Sequence, residues 1–290
     1  MRVLTLLAGT ALLASTAVTA FAADGGSAKL NYAAMDKLGW KLSSQAYTFR
    51  ELTLFDTLDT MKKIGFKYVE LFPGQRLSKE DPAGFDHNAT DAQIAAVKAK
   101  LKETGIKAMN YGVVGLDNNE ANDRKVFDFA KKMGITTIVA EPPEDSFTLL
   151  DKLCQEYKMN VAIHDHPQPS HYWNPDTVLK VTQGTSKRIG SCSDTGHWYR
   201  SGLVPLDCLK KLKGRIISLH FKDLDESKGD VPWGTGVCNA MGMLEELKRQ
   251  GFRGVFSIEY ERTSGQELVD KVTKCVAWFS ASAAKLAPKY

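Results

Sequence analysis

Eight short apolar runs alternate with eight segments of helical periodicity along this chain, and that alternation leaves few ways to fold. The runs cover 42–46, 68–71, 107–111, 136–141, 161–166, 189–194, 216–222 and 255–260. Apolar residues at three- and four-residue spacing predict helices over 54–64, 92–103, 121–133, 147–157, 175–183, 205–212, 241–250 and 266–284. Gly65, Gly105, Gly134, Gly214 and Gly251 stand just after five of them, and Asn174-Pro175 opens another. A strand followed by a helix, eight times over, predicts one α/β domain, a closed (β/α)8 TIM barrel. No glycine-rich phosphate loop follows the first strand, which argues against an open nucleotide-binding sheet. The stretches 72–90 and 223–239 are longer than connections require and are expected over the mouth of the barrel.

Parallel strands joined by helices all end on one side, so the polar residues that close the runs should converge there. Three consecutive units close on metal-capable side chains, Asp194, His220 and Glu259, separated by 26 and 39 residues. Each interval accommodates a strand, a helix and the next strand. Two carboxylates and an imidazole suit Mn²⁺, Mg²⁺, Zn²⁺ or Co²⁺. Glu141, stopped by Pro142-Pro143, is a further candidate ligand. In the fifth run His164 and His166 share a face by two-residue alternation, one expected at the metal and the other at substrate. Tyr47, Tyr111, Trp173, Trp198 and Trp233 are candidate aromatic platforms for the apolar face of a ligand, with Trp198 beside His197 and Trp233 in the long 223–239 stretch the better placed. Arg200 is expected to pair with a substrate carboxylate or a neighbouring acid.

The first 22 residues stand apart. Arg2 gives a positive start, 4–18 is almost wholly apolar or small, and Ala20-Phe21-Ala22 fits a small-x-small cleavage rule, so 1–22 is expected to be an export signal cut after Ala22. The run is short for a membrane anchor, and no later stretch approaches a spanning length. The expected mature domain, 23–290, carries 37 basic and 34 acidic residues without a long basic block, which gives no support for nucleic acid as a partner. Its length suits one barrel. The five cysteines contain no CxxC pair. An exported chain permits a disulfide, but four of the thiols fall on predicted helices or strands, which reads as structural.

Val69-Glu70-Leu71, Asp194-Thr195-Gly196-His197, His220-Phe221-Lys222-Asp223 and Glu259 together resemble the xylose isomerase-like TIM barrels, the sugar isomerase/epimerase superfamily that also holds tagatose-type epimerases and endonuclease IV. The resemblance implies that Asp194, His220 and Glu259 bind a divalent metal and that His197 and Lys222 face substrate, with Glu70 on strand two among the matched positions. It also implies a glutamate ligand on strand five within a Glu-Asn-His run. This chain has His164-Asp165-His166 there, so His164, Glu141 from the strand before it, or both are expected to take that place.

The expected protein is therefore an exported, periplasmic or secreted metal-dependent isomerase or epimerase of unphosphorylated sugars, free of the membrane once the signal is cut. Glu259 or a nearby histidine, His166 included, would remove a proton next to a carbonyl; Lys222 and His197 would stabilise the oxyanion or return the proton. Glu70, Tyr47, Trp198 and Trp233 are the expected substrate contacts. A lyase or hydratase acting on keto-glycosides is the nearest alternative, and a non-catalytic sugar-binding barrel the next. A nuclease like endonuclease IV would need more histidines than the six present. Homodimers through the barrel helices are compatible with the sequence.

Overall fold

The expected apolar runs become strands because each is flanked by a helix that buries its outer face. The computed structural model describes residues 30–288; the expected signal at 1–22 lies outside the described residues. The barrel strands are β1 (Trp40–Gln45), β2 (Tyr68–Leu71), β3 (Lys107–Val114), β4 (Thr137–Ala140), β5 (Asn160–His164), β6 (Ile189–Asp194), β7 (Ile216–Phe221) and β8 (Gly254–Ile258). They close in the order β1-β8-β7-β6-β5-β4-β3-β2, all parallel.

Helix α1 (Tyr32–Leu38) precedes β1. The outer ring consists of α2 (Leu54–Ile64), α3 (Asp91–Thr104), α4 (Glu120–Met133), α5 (Phe147–Tyr157), α6 (Pro175–Val181), α8 (Pro205–Lys211), α9 (Ala240–Arg249) and α10 (Gly265–Leu286), while the short α7 (Thr195–Arg200) sits at the carboxyl end of β6. Starts and stops follow local chemistry. Thr90 and Gln93 form a reciprocal capping box on α3. Gly65, at φ 105° after α2, takes a left-handed conformation that a side chain would resist. The six-residue α7 was not expected, since it follows β6 with no loop between.

The main core lies between strands and helices; Val139, Ala162 and Cys192 form a small apolar cluster of their own, one residue each from β4, β5 and β6. Among the described residues no helix is long and apolar enough to cross a membrane. Both long stretches contain a two-stranded ribbon, Gln75–Arg76 with Gly84–Phe85 and Asp223–Leu224 with Asp230–Val231. Asp223 holds the second in shape by accepting from the backbone N–H groups of Gly234, Gly236 and Cys238 at 2.9, 2.9 and 3.1 Å.

Candidate metal centre at the carboxyl ends of the strands

The β6–α7 junction shows why an Asp-Thr-Gly-His run is needed here. Asp194 pairs in register with His220 on β7, so both side chains come from the same level of the barrel. Asp194 Oδ1 accepts from the backbone N–H of His197 at 2.8 Å and caps α7, which leaves Oδ2 for the interior. Thr195 Oγ1 accepts from the N–H of Lys222 and donates to its carbonyl, tying the junction to the end of β7. Gly196 has no room for a side chain: a Cβ there would sit 2.8 Å from the Lys222 stem. That close approach lays Lys222 across the site.

His164, Asp194, His220 and Glu259 each offer one ligand atom, and all four atoms lie within 4.8 Å of one another. The orientation of the two imidazoles follows from what lies behind them. His220 Nε2 donates to Glu70 Oε1 at 2.8 Å, which turns Nδ1 toward Glu259 Oε2 at 3.2 Å. His164 Nδ1 donates to Glu141 Oε1 at 3.0 Å, which turns Nε2 toward Asp194 Oδ2 at 3.7 Å. A carboxylate behind a histidine fixes its tautomer and raises its basicity toward a metal. His164 Nε2, Asp194 Oδ2, His220 Nδ1 and Glu259 Oε2 are all buried without a hydrogen-bond partner. Four inward-facing orphans of this kind, two nitrogens and two carboxylate oxygens, fit a divalent transition ion.

The charges around these atoms are tightly coupled. Lys222 Nζ lies 3.0 Å from Asp194 Oδ2, 2.8 Å from Glu259 Oε2 and 2.7 Å from Glu261 Oε1. Toward the first two it is an ion pair without hydrogen-bond alignment, so those oxygens remain orphans. Burial alone would push the Lys222 ammonium toward neutrality, but Asp194, Glu259 and Glu261 together hold its pKa well above the usual lysine range. Burial likewise opposes ionisation of Glu259, and the nearby Lys222 and His220 charges hold it well below the usual carboxylate range. Burial pushes the His197 imidazole down to about 2. It also works against charge on His164 and His220, yet their acidic neighbours keep both above the usual histidine range, so an incoming ion competes with protons.

Several expectations need correction. Glu141 is not one of the four that converge; it stands behind His164, with which it and His166 form a second metal-capable group, and it accepts also from the His166 N–H at 3.0 Å, the His166 ring and Ser170 Oγ at 2.9 Å. Glu70 is no substrate contact. It is fully buried and accepts from Gln45, Asn110, Ser257 and His220. His166 lies past the end of β5, its side chain 50% exposed and stacked on His197 with ring centroids 5.6 Å apart. Trp233 is 2% exposed and packs on Phe221 and Phe279, and Trp198 is 1% exposed in the core, so neither has a face for a sugar. Tyr111 is buried with its hydroxyl against His87. Trp173 is half-buried. Tyr47, 39% exposed and edge-on to Phe72, is left at the rim.

Two groups at the site escaped the sequence reading. Glu261, two residues beyond Glu259, could have been found by alternation along the eighth run. Asp165 could not. It is buried, accepts the Asp194 N–H through Oδ1 at 2.8 Å, and burial beside Asp194 pushes its pKa well up.

The chain is similar to an inosose dehydratase from Lacticaseibacillus casei, at 23% identity over 78% of this chain and 88% of that protein. It is similar to the same degree, 23%, to an inosose isomerase from Halalkalibacterium halodurans, over 78% of this chain and 89% of the relative. Among solved structures, an uncharacterised protein from Parabacteroides distasonis superposes with a TM-score of 0.68 at 34% identity, over 83% of this chain and 98% of the other. Residues 58–281, which include every member of the metal-capable cluster, match the family described as xylose isomerase-like TIM barrel, and the chain belongs to that family.

Proposed function

We propose that this protein is a divalent-metal-dependent enzyme that removes the proton next to a carbonyl of an unphosphorylated sugar or keto-polyol, in the manner of a sugar isomerase or epimerase. The observation that carries this is the convergence of four buried, unpartnered atoms from His164, Asp194, His220 and Glu259 beside the Lys222 ammonium. A divalent ion held by these residues would polarise a substrate carbonyl and acidify the neighbouring C–H. Glu259, held ionised by the nearby Lys222 and His220 charges, is the proton acceptor. Lys222 stabilises negative charge growing on the substrate oxygen. His166, half-exposed above His197, meets the substrate from solvent.

The fate of the proton divides the readings. Returned to the adjacent carbon, it gives isomerisation; returned to the same carbon from the other face, epimerisation; loss of a neighbouring hydroxyl instead gives dehydration. The second reading, a carbon–oxygen lyase, is favoured by one observation. Strand five ends in an imidazole tied to Glu141 and not in a free carboxylate, so Glu259 lacks an opposed carboxylate partner for two-face proton exchange. The names of the similar proteins, inosose dehydratase and inosose isomerase, support a ketone of a polyol as substrate under either reading. Export through the 1–22 signal is part of the proposal and underlies the choice of an unphosphorylated substrate.

The test is metal analysis of the purified protein and of Asp194→Ala, followed by deuterium exchange into keto-sugars and inososes in D₂O. Stoichiometric metal that is lost in the variant, with metal-dependent exchange in the wild type, is the expected result. Sugar binding with neither metal nor exchange would replace the enzyme by a binding barrel.

A further inference from the structure

The ring nitrogen of His197 that faces away from the cluster is engaged. His197 Nδ1 lies 3.1 Å from Arg200 Nη1, three residues on along α7. A guanidinium carries donors only, so Nδ1 must accept and the ring proton must sit on Nε2. Nε2 is the nitrogen turned to the cluster, 3.6 Å from Asp194 Oδ2. We propose that Arg200 is a positioning residue that locks His197 as its Nε2–H tautomer, making His197 a fixed hydrogen-bond donor to a substrate oxygen and not a proton acceptor. This rests on the reading of the site as one for deprotonation beside a carbonyl, and it deepens that reading by removing His197 from the candidate bases.

The guanidinium is itself held in place by the 223–239 stretch. Arg200 Nη2 donates to Asp230 Oδ2 at 3.1 Å and Nε to the Lys228 carbonyl at 3.4 Å, while Lys228 Nζ returns a bond to the Arg200 carbonyl at 3.0 Å. Asp230 is anchored in turn. Its Oδ2 also accepts from the Glu261 N–H at 3.3 Å and its carbonyl from the Tyr260 hydroxyl at 2.9 Å. A chain of directed bonds therefore runs from the covering ribbon through Asp230 and Arg200 to the His197 ring. Its effect is chemical as well as geometric. With the lone pair on Nδ1 spent on Arg200, the only function His197 can present to the barrel mouth is an N–H. A neutral imidazole N–H is a preorganised donor for a carbonyl oxygen that gains charge.

Long-range ¹⁵N–¹H NMR on protein labelled at its histidines reads the tautomer directly, with the His197 signals assigned by their disappearance in His197→Gln. The spectrum is recorded with and without Zn²⁺ and without substrate. The expected wild-type pattern is a protonated Nε2 and a pyridine-type Nδ1. In Arg200→Met that pattern gives way to a mixture of tautomers, and kcat falls about tenfold to hundredfold with KM within about threefold. A wild-type Nδ1–H tautomer overturns the proposal without recourse to any variant, as does an Arg200→Met protein with unchanged tautomer and kcat. Because the spectrum needs no turnover, a protein that shows the Nε2–H tautomer but exchanges no deuterium into any ketone defeats the functional reading and leaves the role of Arg200 standing.

Discussion

His220 Nε2 donates to Glu70 Oε1 at 2.8 Å across 150 residues of sequence, and this bond decides which imidazole nitrogen faces Glu259. Glu70 also accepts from Ser257 Oγ at 2.6 Å, Asn110 Nδ2 at 3.1 Å and Gln45 Nε2 at 3.3 Å. One buried carboxylate thus gathers donors from β1, β3, β7 and β8 beneath the candidate metal centre.

Glu70→Gln should fail at both tasks. An amide has one accepting oxygen for four donors, and its NH₂ would be pressed against them. Metal affinity is expected to fall about tenfold to hundredfold through loss of His220 orientation. Stability is expected to fall by about 3 kcal/mol, the scale for breaking a buried charged network. Zn²⁺ titration calorimetry and urea unfolding measure the two effects. Unchanged affinity would mean that His220 is oriented by something other than Glu70.

Lys222→Met should separate folding from metal binding. Three carboxylates, those of Asp194, Glu259 and Glu261, share the ammonium within 3.0 Å, so removing it leaves them mutually repelling and the metal-free protein destabilised by about 3 kcal/mol. The same change removes the cation that competes with a metal for Asp194 and Glu259. Affinity for Zn²⁺ should rise by at least about tenfold, roughly 1.4 kcal/mol, while deuterium exchange into the ketone is lost. Thermal melts with and without Zn²⁺ show this as a lower melting temperature for the metal-free protein and a larger upward shift on loading. A weaker metal site in the variant would show that Lys222 supports the ligands and does not rival the ion.

What could be read in the sequence was what depends on strand ends. Asp194, His220 and Glu259 were legible because parallel strands end together and alternation fixes which residues point inward; β6 and β2 even have the bounds expected. Depth within the barrel was not legible. Glu70 ends its strand just as the candidate ligands end theirs, and only the three-dimensional register puts it beneath His220. His166 was read as on-strand because alternation carries on through 161–166, whereas Asp165 turns to the Asp194 N–H and ends β5 at His164. Trp233 was judged by its place in a long loop. Its burial comes from Phe221 and Phe279, partners 12 and 46 residues away, which no local pattern announces. Arg200 was legible as a pairing arginine but not as one paired with both Asp230 and His197.

The five thiols should be silent in the folded protein and all present when it unfolds. All are free and buried, so the disulfide that export would permit is absent. Burial pushes Cys154, Cys208 and Cys275 up to about 12 and Cys192 and Cys238 up to about 11. At pH 8 a thiol reagent should find none in the native state and five in denaturant, with no reductant added. The pH dependence has a definite sign. Unfolded thiols ionise near pH 8.5 while the folded ones stay protonated, so the unfolded state holds fewer protons in the window from about pH 9 to 11 and stability falls there. Urea midpoints that do not decline across that window, or native thiols that react at pH 8, would contradict the burial of these groups.

The imidazole on strand five should set the choice of metal. Two nitrogens and two carboxylate oxygens favour Zn²⁺ or Co²⁺ over Mg²⁺, whereas the carboxylate implied at that position by the resemblance makes an oxygen-rich set that suits Mn²⁺ and Mg²⁺. His164→Glu is therefore expected to move preference toward Mn²⁺, by about tenfold or more in the Zn²⁺/Mn²⁺ affinity ratio, a step of roughly 1.4 kcal/mol. Glu141 complicates the substitution. It accepts from His164 Nδ1 at 3.0 Å, and a second carboxylate in that place would face it with like charge in a half-buried setting. The double variant His164→Glu, Glu141→Gln relieves this, since an amide can donate to the new carboxylate. The double variant should bind Mn²⁺ more tightly than the single one, with the difference measured by competition titration of the two ions. If both variants keep the wild-type ratio, His164 is not a ligand and the centre is completed from another side of the barrel.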